Sequence, residues 1–314
     1  MEITTFAPVL IPTLNRYEHF RRCVESLSKC TYADQTELVI GLDFPPSEKY
    51  VEGWKKICEY VNTISGFGKV TIFRREENFG VDKNIDDISE YAAKKYGCYI
   101  FSEDDNEFSP NFLDYINQGL DIYKDNPQVF AICGYNYPID LSDYNKAYYF
   151  SHEFAAWGYG GWFEKAKRVS DIIKSPKYVI DLYKSYPLSV YFKNNLKLMG
   201  LSTRIGDGFL GDVYVTSYLH SHNVFTVFPK VSLVRNWGHD GSGVNCGKEE
   251  KEIEDLYTQQ IIDDSKYFVF DDDVSMKVNP LVNKEVQHFM RPSIKLVLKR
   301  LICFSLIKIY SKIK

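Results

Sequence analysis

The sequence predicts an α/β fold with a mostly parallel central sheet covered by helices. Three observations predict it. Short apolar runs alternate with amphipathic helical segments across residues 6–133. Polar punctuation by Pro, Asn and Asp falls where the runs end. A chain of 314 residues, 45% hydrophobic and 25% charged, is long and apolar enough to bury one large α/β core.

Residues 6–11 read as a buried strand, which Pro12 is expected to end because it has no N–H to give a ladder. Asn15 is placed to cap the next helix, with Glu18 three residues on and Tyr17, Phe20, Val24 and Leu27 as its apolar stripe. Residues 37–42 form a second strand ending at Asp43-Phe44-Pro45-Pro46, before a helix with Val51, Trp54, Cys58 and Val61 on one face. Residues 70–73 form a third strand, then the loop Glu77-Asn78-Phe79-Gly80 and a helix carrying Ile85, Ile88 and Ala92. Residues 98–101 form a fourth strand running straight into Ser102-Glu103-Asp104-Asp105-Asn106. Ser109 and Pro110 then suit the N-cap and first turn of a helix with Leu113, Ile116, Leu120 and Tyr123 inward. Residues 129–133 make a fifth strand. Ligands of open parallel sheets collect at the carboxyl ends of the strands, where Pro12, Asp43, Asn78 and the acidic cluster all fall.

The second half is less regular. It holds an aromatic-glycine run at residues 154–162, a helix at 213–220 and a loop at 236–243. The expected organisation is one large domain over 1–290, in two halves (1–140 and 141–290), followed by a basic apolar tail over 291–314.

A net charge of −4 gives no overall cationic field for nucleic acid, so no nucleic-acid partner is expected. The 24 Tyr and 21 Phe exceed what a core requires; core packing is the use expected for most of them, and the surplus suits surfaces that stack on sugars or bases. Seven scattered cysteines without a Cys-x-x-Cys pair read as reduced thiols, and residues 1–8 lack an export leader; a cytoplasmic location is expected.

The strongest chemical signal is Glu103-Asp104-Asp105, because hard oxygen ligands at a strand end can hold Mg²⁺ or Mn²⁺ against phosphates. An acidic cluster is often just a solvated loop. Here three carboxylates leaving a buried strand repel one another, a cost that a cation relieves. Asp271-Asp272-Asp273 is equally acidic but lies outside the alternating region, and reads as a solvated face.

With these residues the chain resembles the GT-A glycosyltransferases. Within them it is similar to the N-acetylglucosaminyltransferase I and protein O-mannose N-acetylglucosaminyltransferase group and, over a shorter span, to bacterial family 2 transferases of surface polysaccharides. The matching features are Pro-Val-Leu-Ile-Pro-Thr-Leu-Asn-Arg at 8–16, Glu-Asn-Phe-Gly at 77–80 and Glu-Asp-Asp-Asn-Glu-Phe-Ser-Pro-Asn-Phe at 103–112. The resemblance implies a GT-A, Rossmann-like nucleotide-diphospho-sugar transferase fold, a UDP-linked sugar donor, and a glycan or lipid-linked acceptor. It implies Asp105 as the metal ligand, Asp104 on the donor's ribose or uridine side, and Glu103 organising both. Pro12, Thr13 and Arg16 would line the nucleotide pocket, with Asn78, Gly80 and Lys83 near the donor. Asp43 would read a uracil imide, or is an ordinary turn aspartate.

Asp212 matches the general base that takes the acceptor proton in an inverting transfer; Asp207 is an alternative, and either could be a helix N-cap. His239 and Asp240 lie in a glycine-flanked loop suited to closing over the diphosphate, with Asp240 toward the acceptor. His239 is either a further metal ligand or a solvated loop histidine. Trp157 and Trp162 are either a sugar-stacking floor for the acceptor or core tryptophans. In the tail, lysines and arginines interrupt every apolar run. That excludes a membrane span and suits either a helix on an anionic inner leaflet or one docked on the domain. Rival readings are a non-catalytic nucleotide-sugar or glycan-binding module and a metal-dependent nucleotidyltransferase. The second is disfavoured because no Gly-x-x-x-x-Gly-Lys loop is present.

Overall fold

A computed structural model describes residues 6–175, 178, 211–243 and 263–290. Its centre is an eight-stranded sheet of order β3-β2-β1-β4-β8-β6-β9-β7. The strands are β1 (Val9–Thr13), β2 (Glu37–Leu42), β3 (Lys69–Arg74), β4 (Cys98–Phe101), β6 (Val129–Cys133), β7 (Tyr148–Ser151), β8 (Tyr159–Trp162) and β9 (Phe225–Pro229). A second, two-stranded sheet pairs β5 (Asn106–Phe108) antiparallel with β10 (Val234–Asn236). In the large sheet the four neighbours β3, β2, β1 and β4 run parallel, as do β6 and β9. β8 is antiparallel to both β4 and β6, and β7 to β9. Strands from both halves of the sequence therefore share one sheet.

Alternation along the strands covers both faces. Val9, Ile11, Leu38 and Ile40 join the larger core with Phe20, Val24 and Leu27 of α1 (Tyr17–Leu27) and Ile57 of α2 (Val51–Tyr60). Leu10 and Val39 face the other way, onto Ile88 and Ala92 of α3 (Gly80–Ala93). Full burial of each such aliphatic or aromatic side chain is worth roughly 1.5–3 kcal/mol. The other described α-helices are α4 (Phe112–Ile122), α5 (Phe163–Ile173), α6 (Gly211–His222) and α7 (Pro280–Phe289). The N-terminal edge of β2 carries a buried carboxylate, Glu37, which accepts from Thr71 (2.6 Å), Tyr91 (2.8 Å), Tyr96 (2.7 Å) and Lys69 (2.9 Å).

Local expectations are corrected at three places. Pro12 does not end its strand: it pairs in register with Gly41. The carbonyls of Pro8 and Leu10 accept from the N–H groups of Ile100 in β4 and of Ser102 just after it, so even-numbered residues of β1 face that side, and β4 pairs only as far as Leu10. The missing N–H of Pro12 therefore costs no ladder bond. Asn15 does not cap α1; Arg16 is the N-cap residue and makes no side-chain cap. The Asn15 carbonyl lies against Gly53 of α2, so closely that a Cβ at 53 has no room. Ser109 and Pro110 precede α4 instead of starting it, since Ser109 Oγ donates to Asn111 Oδ1 at 2.7 Å and the helix opens at Phe112. Asp271-Asp272-Asp273 lies at the surface, where Asp273 pairs with Lys146 (2.6 Å) and Asp271 accepts from the Ala147 N–H (2.6 Å).

Candidate active site

The carboxyl ends of β1, β2 and β4 open at one edge of the sheet, and the acidic triplet leaves β4 there. Asp104 and Asp105 are buried, 6% and 5% exposed, so their charges must be met by protein groups. Thr13 at the end of β1 donates to Asp104 Oδ2 at 2.9 Å. Arg16 reaches both carboxylates, pairing through Nη2 with Asp104 Oδ1 and through Nη1 with Asp105 Oδ2 at 2.7 Å. Asn236 Nδ2, at the end of β10, donates to Asp105 Oδ1 at 2.8 Å and to Asn106 Oδ1 at 2.9 Å. Each aspartate thus gives one oxygen to a neutral donor and turns the other toward a single guanidinium.

Burial, and then the charge of Asp105, push Glu103 up to about 8; Arg16 opposes this, while Asp104 and Asp212 add to it. Burial likewise raises Asp104, against the pull of Arg16. The Glu103 backbone is tied down separately, its carbonyl accepting from Ser102 Oγ at 2.7 Å. Asp212 lies in the first turn of α6, and its charge is felt at Glu103 although more than a hundred residues separate them in sequence. Asp207 lies outside the described residues.

The loop after β10 closes over this group. The Trp237 N–H donates to the Asp105 carbonyl at 2.9 Å, and Gly238 packs against the Asp105 carboxylate where a Cβ does not fit. The guanidiniums of Arg22 and Arg235 lie over the Trp237 ring, 4.3 Å and 3.6 Å from its centroid, while its Nε1 donates to Glu107 at 2.8 Å. Asp240 pairs with His19 of α1 at 3.1 Å and accepts from Ser242 Oγ at 2.6 Å. His239 is half-buried, its ring edge-on to Trp157 with centroids 5.3 Å apart.

Asp43, 5% exposed, has both oxygens engaged by its own chain. Oδ1 accepts from the N–H groups of Phe44 and Phe79, each at 2.8 Å, and Oδ2 from Gly80 N–H at 2.9 Å and Asn78 Nδ2 at 3.2 Å. It therefore clamps the loop at the start of α3, where a negative charge also suits the helix dipole. Gly80 adopts φ +73°, a left-handed conformation that glycine takes without strain. Asn78 is exposed and donates to the Phe44 carbonyl at 2.6 Å; Lys83 is exposed over the Phe79 ring, 3.5 Å from its centroid.

The two tryptophans separate. Trp157 precedes β8 at the end that pairs with Phe101, beside His239. Trp162 pairs with Cys98, at the far end of β4 from the acidic triplet, about 10 Å along the strand. It is 8% exposed, with Lys165 Nζ 3.5 Å from its ring centroid. The expectation of an acceptor floor is corrected for Trp162, which is a core residue at the opposite edge. Asn236, His19, Arg22, Arg235 and Glu107 are site-supporting residues that the sequence reading missed. The loop at 236–243 was visible, but no local spacing marks its contact with residues near 105.

For a divalent cation the donor set is partial. Among the described residues no three His, Cys, Asp or Glu side chains converge on one point. The two inward oxygens of Asp104 and Asp105 nevertheless make a hard, anionic edge already held by a cation, Arg16, which fits Mn²⁺ or Mg²⁺ completed by phosphate and water oxygens.

The profile described as glycosyl transferase family 2 matches residues 9–176, more than half of the 314-residue chain, and ends just beyond α5. The chain belongs to glycosyl transferase family 2. This glycosyltransferase matches no curated protein in sequence. Solved structures similar to it include the mannosyltransferase PcManGT from Pyrobaculum calidifontis in complex with GDP-Man and Mn2+. That likeness has 12% identity and TM-score 0.39 and covers 69% of this chain and 70% of that one. S. aureus TarS 1-349 is similar at 14% identity and TM-score 0.38, covering 69% and 72%. S. aureus TarS, at 14% identity and TM-score 0.36, is covered over 33% of its length by 58% of this chain. The family and the sheet described above make the protein a nucleotide-sugar glycosyltransferase of GT-A fold. The profile match bears on the family 2 resemblance, not on the N-acetylglucosaminyltransferase one.

Proposed function

We propose that this glycosyltransferase is inverting and metal-dependent, moving a sugar from a UDP-linked donor to a hydroxyl of a glycan or lipid-linked acceptor in bacterial surface polysaccharide or lipooligosaccharide synthesis. The observation that carries the reading is the meeting of Asp104 and Asp105 with Arg16 at the sheet edge. Asp105 would hold Mn²⁺ or Mg²⁺, aided by Asp104; the bound metal supplies positive charge against the departing diphosphate. Thr13 and Arg16 line the donor side, and the loop at 236–243 excludes water over it. Asp212 accepts the proton of the acceptor hydroxyl as that oxygen bonds to the anomeric carbon and the bond to the diphosphate breaks. Attack on the face opposite the leaving group inverts the anomeric centre.

The basic apolar tail at 291–314 lies outside the described residues. Among the described residues no helix is long and apolar enough to cross a membrane. In this reading the tail holds the enzyme on an anionic membrane surface, each Lys or Arg near the lipid adding on the order of 1 kcal/mol. A chain ending at 290 that sediments with anionic vesicles as well as the full chain removes this part of the reading.

The experiment for the transfer itself incubates the protein with Mn²⁺, a panel of nucleotide sugars and lipid-linked or free glycan acceptors. The product's anomeric configuration is read by NMR. Inversion with release of a nucleoside diphosphate is expected. Retention contradicts the role of Asp212, and tight donor binding without turnover on any acceptor points to a binding module.

A further inference from the structure

We propose that Arg16 is an internal counter-ion occupying the place of the divalent cation, and that metal binding displaces it. The proposal rests on the reading that Asp105 holds the metal.

Three observations carry it. First, Arg16 bridges two different carboxylates, pairing with Asp104 Oδ1 and, at 2.7 Å, with Asp105 Oδ2. Second, the other oxygens of those carboxylates are fixed by uncharged donors, Thr13 at 2.9 Å and Asn236 at 2.8 Å. The edge that Arg16 covers is therefore the edge left for a metal. A guanidinium and a hard dication cannot both sit against it. Third, Arg16 is partly open to solvent. It is the residue preceding α1, its side chain is 20% exposed, and beyond the two aspartates its Nη1 comes close to the backbone at Gly243 in the loop after β10.

Two adjacent buried carboxylates without a cation are strongly unfavourable, so the donor-free protein needs some positive group there. Arg16 supplies it from within the chain. A metal entering that edge must break both ion pairs, which lowers its apparent affinity. Arg16, once displaced, is a planar cation at the rim of the donor pocket, with geometry suited to a phosphate. Metal and nucleotide diphosphate then bind cooperatively, because the metal frees the arginine that the diphosphate uses.

The test titrates Mn²⁺ alone, followed by loss of the free-ion EPR signal, into the wild-type chain and its Arg16→Ala, Arg16→Lys and Asp105→Asn variants. A second set of titrations adds UDP. Arg16→Ala is expected to bind Mn²⁺ about tenfold more tightly than wild type without nucleotide, and to lose most of the enhancement that UDP gives wild type. Arg16→Lys, which keeps one charge but not the fork, is expected to lie between and guards against misfolding of the alanine variant. Mn²⁺ is also expected to raise the melting temperature of Arg16→Ala more than that of wild type. If Asp105→Asn abolishes Mn²⁺ binding but both Arg16 variants bind it no more tightly than wild type, the counter-ion role is overturned and the metal site stands. If Asp105→Asn binds Mn²⁺ like wild type, the metal reading fails and the counter-ion role with it.

Discussion

Gly238 lies against the carboxylate of Asp105 with no room for a side chain between them, and this contact fixes the loop after β10 onto the acidic edge of the sheet. The constraint is steric, since a Cβ there would also meet Asn236 Oδ1 at 3.1 Å. Gly238→Ala should push Asp105 or Asn236 out of place. Overpacking of this kind costs roughly 1–3 kcal/mol and about 2–4 °C in melting temperature per kcal/mol for a domain of this size. With the proposed role of Asp105, turnover should fall further than stability, by about tenfold or more, because a reacting group tolerates little displacement. Calorimetry and donor hydrolysis measured on the same preparation check both numbers; unchanged turnover would show that the loop does not bear on Asp105.

Asp43 accepts four hydrogen bonds from Phe44, Asn78, Phe79 and Gly80. Asn at this position can accept through one oxygen only, so Asp43→Asn should lose about 1–3 kcal/mol from the donors left unpaired. A base-reading role predicts something different: normal stability with a changed preference among UDP, GDP and other donors. Thermal melting and a donor competition assay separate the two.

In the proposed mechanism Asp212 accepts the acceptor's proton; Asp212→Asn keeps the size of the side chain but removes that base. Turnover should drop by about 10²–10⁴-fold, with donor affinity nearly unchanged. Isothermal titration with the donor, alongside initial rates, tests this; parallel loss of affinity and rate would mark Asp212 as a structural element of α6.

Glu37 is pulled down to about 2, its burial outweighed by hydrogen bonds from Thr71, Tyr96, Lys69 and Tyr91. Its folded value lies below the unfolded one, so the stabilisation is present at neutral pH and is lost as pH falls from about 4.5 toward 2. Glu37→Gln should lower stability at pH 7 by on the order of 2 kcal/mol and flatten the acid limb over that window. Urea unfolding at a series of pH values checks the slope.

The first four large-sheet strands, their helices and the acidic triplet were legible because each is coded by neighbours in sequence: an apolar run, a polar stop, a helical stripe. Residues whose role depends on a distant partner were not. Pro12 looked like a ladder breaker, yet its effect depends on β4 having already ended beside it. Asn236 meets Asp105 across 131 residues of chain, with nothing local to announce it. The insertion of β8 antiparallel between β4 and β6 is what puts Trp157, and not Trp162, at the acidic end of β4, and a Tyr-Gly-Gly-Trp run carries no sign of that direction.

In the proposed mechanism a divalent metal at Asp105 supports sugar transfer at this edge of the sheet. The most direct measurement is nucleoside-diphosphate release from the preferred nucleotide sugar by wild type and Asp105→Ala, each with Mn²⁺ and with EDTA. Release is expected from wild type in Mn²⁺ alone, restored when excess Mn²⁺ follows EDTA, and none from the variant. Undiminished release in EDTA, or by Asp105→Ala, would contradict it.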